Sequence, residues 1–294
     1  MSEQLIPVYN LVFGSSIGSL NKVWSSSGVC WIDPPDRELL VVPPLPVRGP
    51  VGAELAWGWM GSAGPRLERP WVWPRNPRTG VPLKHALTLR LPVPYQRRGP
   101  GLPGIAYFVE VDEYLAMPAN GDVCLADSII PQQYPRLETR QGDAGDAYAM
   151  LWLTEGELSG GPATCPQDIS RLGTPTCFDD AGPKRGRTLS WWEHVAMLQW
   201  VWLVERIGDI NAGVAPSSYD DSPYRDPWDC ADQLTGVFVC DDHLGGTTYA
   251  GGATGLPDGM TPYYLELATP TLDHDYGNHE THLIDLESRT FAIC

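Results

Sequence analysis

The sequence predicts a β-rich α+β fold: antiparallel sheets joined by Pro- and Gly-rich loops, with one long buried helix over residues 190–207. Three observations carry this reading. The chain holds 31 glycines and 29 prolines, about a fifth of its 294 residues, which means many turns but falls short of a disordered composition. Short runs rich in aliphatic, β-branched and aromatic residues recur between those turns, as strands do. A single longer apolar run opens on a helix cap.

In chain order, the first strand candidates are Val8–Phe13 and Glu38–Val42, split by the polar turn Ser25-Ser26-Ser27-Gly28. The stretch Pro43-Pro44-Leu45-Pro46-Val47-Arg48-Gly49-Pro50 is a stiff connector, because each proline denies a ladder hydrogen bond. Residues 61–83 hold five prolines, three glycines and two tryptophans, so they form neither a helix nor a central strand. Within them, Trp73 precedes Pro74 and is held extended, which aims its ring. Strands are expected next at Leu87–Leu91, Ile105–Val111, Val123–Ala126 and Tyr148–Leu153. The helix follows. Ser190 with Glu193 three residues on is a capping-box pattern, and Gly208 is a stop. Trp191, Val195, Leu198 and Trp202 recur at helical spacing, with Trp192, Ala196 and Leu203 widening the apolar face. A helix apolar on several sides is expected to be clamped between layers.

The block around residues 61–83 is followed by the strand Leu87–Leu91, then Leu102-Pro103-Gly104 and the aromatic strand from Ile105. This order resembles the YwqG-like family, and the tail is similar too: His243-Leu244-Gly245-Gly246, Tyr263–Leu267, Asp275-Tyr276-Gly277-Asn278, Ile284–Ser288 and Phe291–Cys294. The similarity spans roughly residues 50–115 and 240–294, with Gly61-Ser62-Ala63-Gly64-Pro65 standing in place of the family's tight double glycine. It implies one globular domain over residues 1–294, with a YwqG-like core over 51–294 and residues 1–50 as an added strand layer. It also implies a bacterial, toxin-associated setting.

The formal net charge is −16. A face that holds nucleic-acid phosphates must be basic, so direct nucleic-acid binding is disfavoured. Anionic membrane surfaces are disfavoured for the same reason. A basic protein partner is favoured, because a strong field of one sign raises encounter rates with the other. Seven cysteines show no tight repeated spacing, the first residues lack a basic region followed by an apolar run, and no stretch reaches about 18 uninterrupted apolar residues. These features predict a cytoplasmic protein with reduced thiols.

The densest polar cluster runs from Asp273 to His282 and includes His274, His279 and His282. Its spacing does not match paired histidines on a helix, and Gly277-Asn278 marks a turn, so a polar hairpin turn is expected rather than a metal site. Cys230, Cys240 and His243 share one stretch, and Cys165 and Cys177 bracket another, without Cys-x-x-Cys spacing. Asp143 and Asp146 lie in a Gly-Asp turn. The sequence has no phosphate-cradling Gly-Lys loop. No catalytic residue, cofactor or metal is therefore expected, and the protein is read as a non-enzyme.

The functional expectation is a cytoplasmic immunity protein that binds and neutralises a basic bacterial toxin domain, with nuclease as the class of toxin. The alternatives are a structural or virion-associated assembly protein and a metal-dependent hydrolase using the histidine cluster. The expected contact surface is the acidic stretch carrying Asp220, Asp221, Tyr224, Asp226, Trp228, Asp229, Asp241 and Asp242, where aromatics are ringed by carboxylates.

Overall fold

A computed structural model describes residues 6–14, 56–61, 63–69, 72–77, 83–109, 134–141, 147–163, 199–217, 223–226, 242–248, 256–268 and 281–293, and the backbone alone at 176–179 and 182–188. These form fifteen strands, numbered in chain order: β1 Tyr9–Gly14, β2 Gly58–Met60, β3 Gly64–Pro65, β4 Lys84–Arg90, β5 Gly104–Val109, β6 Leu137–Gln141, β7 Ala147–Leu153, β8 Pro162–Ala163, β9 Thr176–Asp179, β10 Gly182–Thr188, β11 Gln199–Glu205, β12 His243–Leu244, β13 Tyr264–Ala268, β14 Thr281–Asp285 and β15 Phe291–Ile293. One short α-helix, α1 Glu155–Ser159, is present among them. The chain divides into two compact units, one of Met1–Gly58, Arg90–Pro103 and Trp200–Cys294, the other of Trp59–Leu89 and Gly104–Gln199. β1 pairs with β11 and β12, while residues 15–50 of the expected N-terminal strand layer lie outside the described residues.

The expected long helix over 190–207 is not formed. Residues 190–198 lie outside the described residues, and Gln199–Glu205 is a strand that pairs antiparallel with β1 over six positions, from Tyr9 opposite Glu205 to Gly14 opposite Trp200. The reason lies in its composition. Trp200-Val201-Trp202-Leu203-Val204 is aromatic and β-branched, and residues 201–204 are all buried, so both faces of the strand are covered. A strand buried on both sides is apolar at every position and therefore satisfies a helical stripe as readily as a β one. The architecture is accordingly strand-dominated, not α+β around a long helix.

In the first unit the strands run in the order β15, β14, β13, β12, β1, β11, and every pairing between neighbours is antiparallel. The cross-strand partners Asn10, His243, Glu266 and Leu283 share one face of that sheet. In the second unit the order is β4, β5, β7, β6, with β5–β7 and β7–β6 antiparallel. Every residue of β5 and β7 is buried. Trp73 is 1% exposed and lies in this unit's core with Phe108, Leu83, Leu151 and Leu158. Its indole Nε1 donates to Leu83 O at 2.9 Å, and its ring meets Phe108 edge-on at 5.1 Å. The glycine of β3 is dictated by that ring: a Cβ on Gly64 would lie 2.6 Å from it.

Helix α1 survives at five residues because its start is doubly fastened. Thr154 and Glu157 form a reciprocal capping box. The same Glu157 carboxylate takes a forked ion pair from Arg136, with Nη1 to Oε2 at 2.5 Å and Nη2 to Oε1 at 3.1 Å. Arg136 also stands over the Tyr134 ring and donates to its hydroxyl.

Candidate functional site

In the first unit, the loop that follows β12 is the hub of a buried polar network. Gly245 and Gly246 have φ of 66° and 85°, a pair of left-handed residues that turns Thr247 and Thr248 inward. A Cβ on Gly246 would lie 2.6 Å from Asp209 Oδ2, so only glycine lets the backbone come this close to the carboxylate. Asp209 accepts from Thr247 N at 2.9 Å, Thr247 Oγ1 at 2.8 Å and Asn211 N at 2.8 Å. Arg206 donates to Asp209 at 3.2 Å, to Thr247 O at 2.9 Å and, through Nε, to Asn10 Oδ1 at 2.7 Å. Burial alone would push the Asp209 carboxyl up, but the Arg206 charge and the bonds from Thr247 and Asn211 outweigh it and hold the group below its usual value.

This network holds one end of the segment from Arg225 to Asp242, and the strand backbone holds the other. At the leading end, Asn211 donates to Arg225 O at 2.9 Å and accepts from Arg225 N at 2.8 Å, imitating a strand pairing with its side-chain amide. The Tyr224 hydroxyl accepts from Thr248 N at 2.9 Å and donates to Thr248 O at 3.2 Å. At the trailing end, Asp242 accepts from Ala268 N at 3.0 Å while its carbonyl takes Leu11 N at 2.8 Å. Residues 225 and 242 are therefore anchored on the same loop and sheet.

The expected contact residues separate accordingly. Tyr224 is 8% exposed and Asp242 0%, so both are corrected from surface contacts to interior anchors. Asp226 is exposed. Asp220, Asp221, Trp228, Asp229 and Asp241 lie outside the described residues, as do His274, His279, Cys165, Cys230 and Cys240. Of the histidine cluster, His282 is buried in β14, where its ring meets Phe291 edge-on. Among the described residues, no group of three or more His, Cys, Asp or Glu side chains is arranged to hold a metal ion.

Two further histidines are buried. His243 Nδ1 lies 2.9 Å from Gly245 O, which accepts from it. Its Nε2 is 2.8 Å from Glu266 Oε2. In the second unit His85 Nδ1 donates to Gly61 O at 2.5 Å and Nε2 takes the Thr88 hydroxyl at 2.8 Å. Burial lowers the His85 pKa to about 4 despite the opposing bond to Gly61, so the ring is neutral. With both nitrogens hydrogen-bonded, the His85 ring presents no base to a substrate.

Sequence reasoning missed Arg206, Asp209, Asn211, Thr247 and Thr248. The signal was present in Gly245-Gly246-Thr247-Thr248 and Asp209-Ile210-Asn211, a double-glycine turn and an Asx-type loop. It becomes legible only once the two segments are known to meet. No family model, curated protein or solved structure matches the chain. Among the described residues, no helix is long and apolar enough to cross a membrane.

Proposed function

We propose that the protein acts by binding, as a YwqG-like cytoplasmic immunity protein that neutralises a basic toxin domain, with a nuclease as the toxin class, and not as an enzyme. One observation carries this reading: the acidic stretch between Arg225 and His243 is anchored at both ends, Arg225 on Asn211 of the buried network and Asp242 on Ala268 and Leu11 of the sheet. Between those two residues the sequence supplies Asp226, Asp229, Asp232, Asp241 and Asp242 with no Lys or Arg, together with Trp228 and Phe238. A segment held at both ends loses less entropy on binding, and an aromatic amid carboxylates suits a cationic partner. The net charge of −16 adds long-range attraction toward a basic surface and repulsion from nucleic acid. Interior placement of Tyr224 and Asp242 narrows the contact set to Asp220, Asp221, Asp226, Trp228, Asp229 and Asp241.

The test is co-expression with basic nuclease toxin domains, starting with any that is found encoded beside this gene. Restored growth together with a complex that survives size-exclusion chromatography supports the reading. Continued killing by a folded toxin in the presence of folded protein overturns it.

A further inference from the structure

Asp258 and Gly259 form an exposed turn shortly before β13, and theirs is the only Asp-Gly pair in the sequence. Gly259 sits at φ 78°, and no heavy atom lies within 4 Å of the place a Cβ would take. The nitrogen that follows the Asp258 carboxyl therefore belongs to a residue with no side chain of its own and no crowding neighbour on that side. On either side of the turn, Leu256 and Met260 pack into one apolar cluster with Tyr264 and Leu283. Immediately beyond Met260, Thr261 N donates to the Asp285 carboxylate at 2.5 Å, and Tyr264 stands opposite Asp285 in the β13–β14 ladder.

We propose that Asp258 is a site of spontaneous isoaspartyl formation, and thereby a substrate position for a protein carboxyl methyltransferase of the repair class. The Gly259 peptide nitrogen attacks Asp258 Cγ, the nitrogen gives up its proton and one water leaves, closing a five-membered succinimide. Glycine favours this closure because it puts no Cβ beside the attacking nitrogen and adopts backbone angles other residues resist. Water then adds back at one of two carbonyls. Addition at Cγ restores aspartate. Addition at the main-chain carbonyl leaves an isoaspartate whose backbone runs through Cβ and Cγ and whose α-carboxylate is free, so no mass is gained or lost. The repair enzyme transfers a methyl group from S-adenosylmethionine to that α-carboxylate, releasing S-adenosylhomocysteine. The ester re-forms the succinimide by losing methanol.

The structural consequence follows from the position of the turn. An isoaspartyl link adds one carbon to the backbone between Leu256 and Met260, which share a cluster, so the two side chains can no longer both keep their places. The modified chain is less stable than the fresh one, and the damage is read out at the start of β13.

The experiment ages the full-length protein in warm, mildly acidic buffer. Peptides are then mapped with fragmentation that cleaves the N–Cα bond, and labelled S-adenosylmethionine is supplied with an isoaspartyl methyltransferase. Isoaspartate at position 258, methyl label on that peptide and a lower Tm of the aged fraction are expected. Asp258→Glu, which keeps the charge but must close a six-membered ring, is expected to keep the fresh protein's Tm and to lose the label from this peptide. Aged protein without isoaspartate at 258 overturns the proposal, as does undiminished label on the same peptide in Asp258→Glu. Isoaspartate at 258 with an unchanged Tm overturns the structural consequence.

Discussion

Arg206 and Asp209 meet at 3.2 Å with both side chains fully shielded from solvent. A buried ion pair is worth little against an apolar pair of the same shape, yet breaking it strands a charge, which costs about 3–5 kcal/mol. Here the pair has neighbours on every side, since Asn10, Asn211 and Thr247 complete its hydrogen bonds. Asp209→Ala is therefore expected to lower the unfolding free energy by about 3–5 kcal/mol in urea titrations. The double variant Arg206→Met with Asp209→Leu is expected to recover part of that loss. Because the folded Asp209 carboxyl is held below its usual value of 3.8, its contribution is present above that pH and is lost as pH falls below it. An Asp209→Ala chain as stable as the wild type removes the network as the anchor of the acidic stretch.

His85 gives a pH dependence of the same sense in a different window. Its ring is buried and neutral, with a folded pKa of about 4 against 6.5 in the open chain. The unfolded chain therefore holds the proton more tightly, and stability rises with pH between those values. The contribution of His85 is full above about pH 6.5 and is lost as pH falls toward 4. Urea midpoints compared near pH 7 and near pH 5 are expected to fall for the wild type and to fall less for His85→Gln, which has no ring to protonate. Equal falls in the two proteins assign the acid sensitivity to other groups.

Trp73 was legible in the sequence because Pro74 after it holds it extended, and the structure puts the ring in a core pocket 1% exposed. Trp73→Ala is expected to cost about 3–5 kcal/mol. Gly64→Ala is expected to destabilise as well, since its new methyl would drive into the Trp73 ring, whose edge-on contact with Phe108 limits retreat. Thermal melting checks both. A Trp73→Ala protein with an unchanged Tm makes the residue a surface feature.

What could be read from the sequence divides along a physical line. Strands with turn signals at their ends were legible: Val8–Phe13, Leu87–Leu91, Ile105–Val111 and Tyr148–Leu153 each overlap a strand, namely β1, β4, β5 and β7. The 190–207 segment was not, because Trp200 to Val204 is apolar at every position and period alone cannot separate a fully buried strand from a buried helix. Local capping residues add no discrimination when tertiary pairing decides. The buried network was illegible for a different reason. Arg206 and Thr247 are 41 residues apart, and Asn10 and Arg206 are 196 apart, so nothing in either local pattern announces the other. The acidic stretch was recognised by its charge, but charge density does not distinguish Asp226, which is exposed, from Asp242, which is sealed in the sheet.

That last distinction gives the sharpest test of the proposed interface. Tyr224 is an anchor: its hydroxyl accepts from Thr248 N and donates to Thr248 O, and removing it takes one partner from each of two buried backbone groups. Tyr224→Phe is thus expected to cost about 1–3 kcal/mol of stability. It should leave the association rate of the fraction that remains folded nearly unchanged, because no charge is altered. Neutralising Asp220, Asp221, Asp226 and Asp229 together to Asn should do the reverse. Carboxylates act at long range through a screened field, so their loss should slow association with a basic toxin domain several-fold and flatten its salt dependence, while Tm stays put. Stopped-flow association at low and at moderate salt, with melting curves on the same samples, separates the two effects. If the fourfold Asn variant associates at the wild-type rate at low salt, the acidic stretch is not the contact surface. If Tyr224→Phe abolishes binding without loss of Tm, the side chain is a contact and not an anchor.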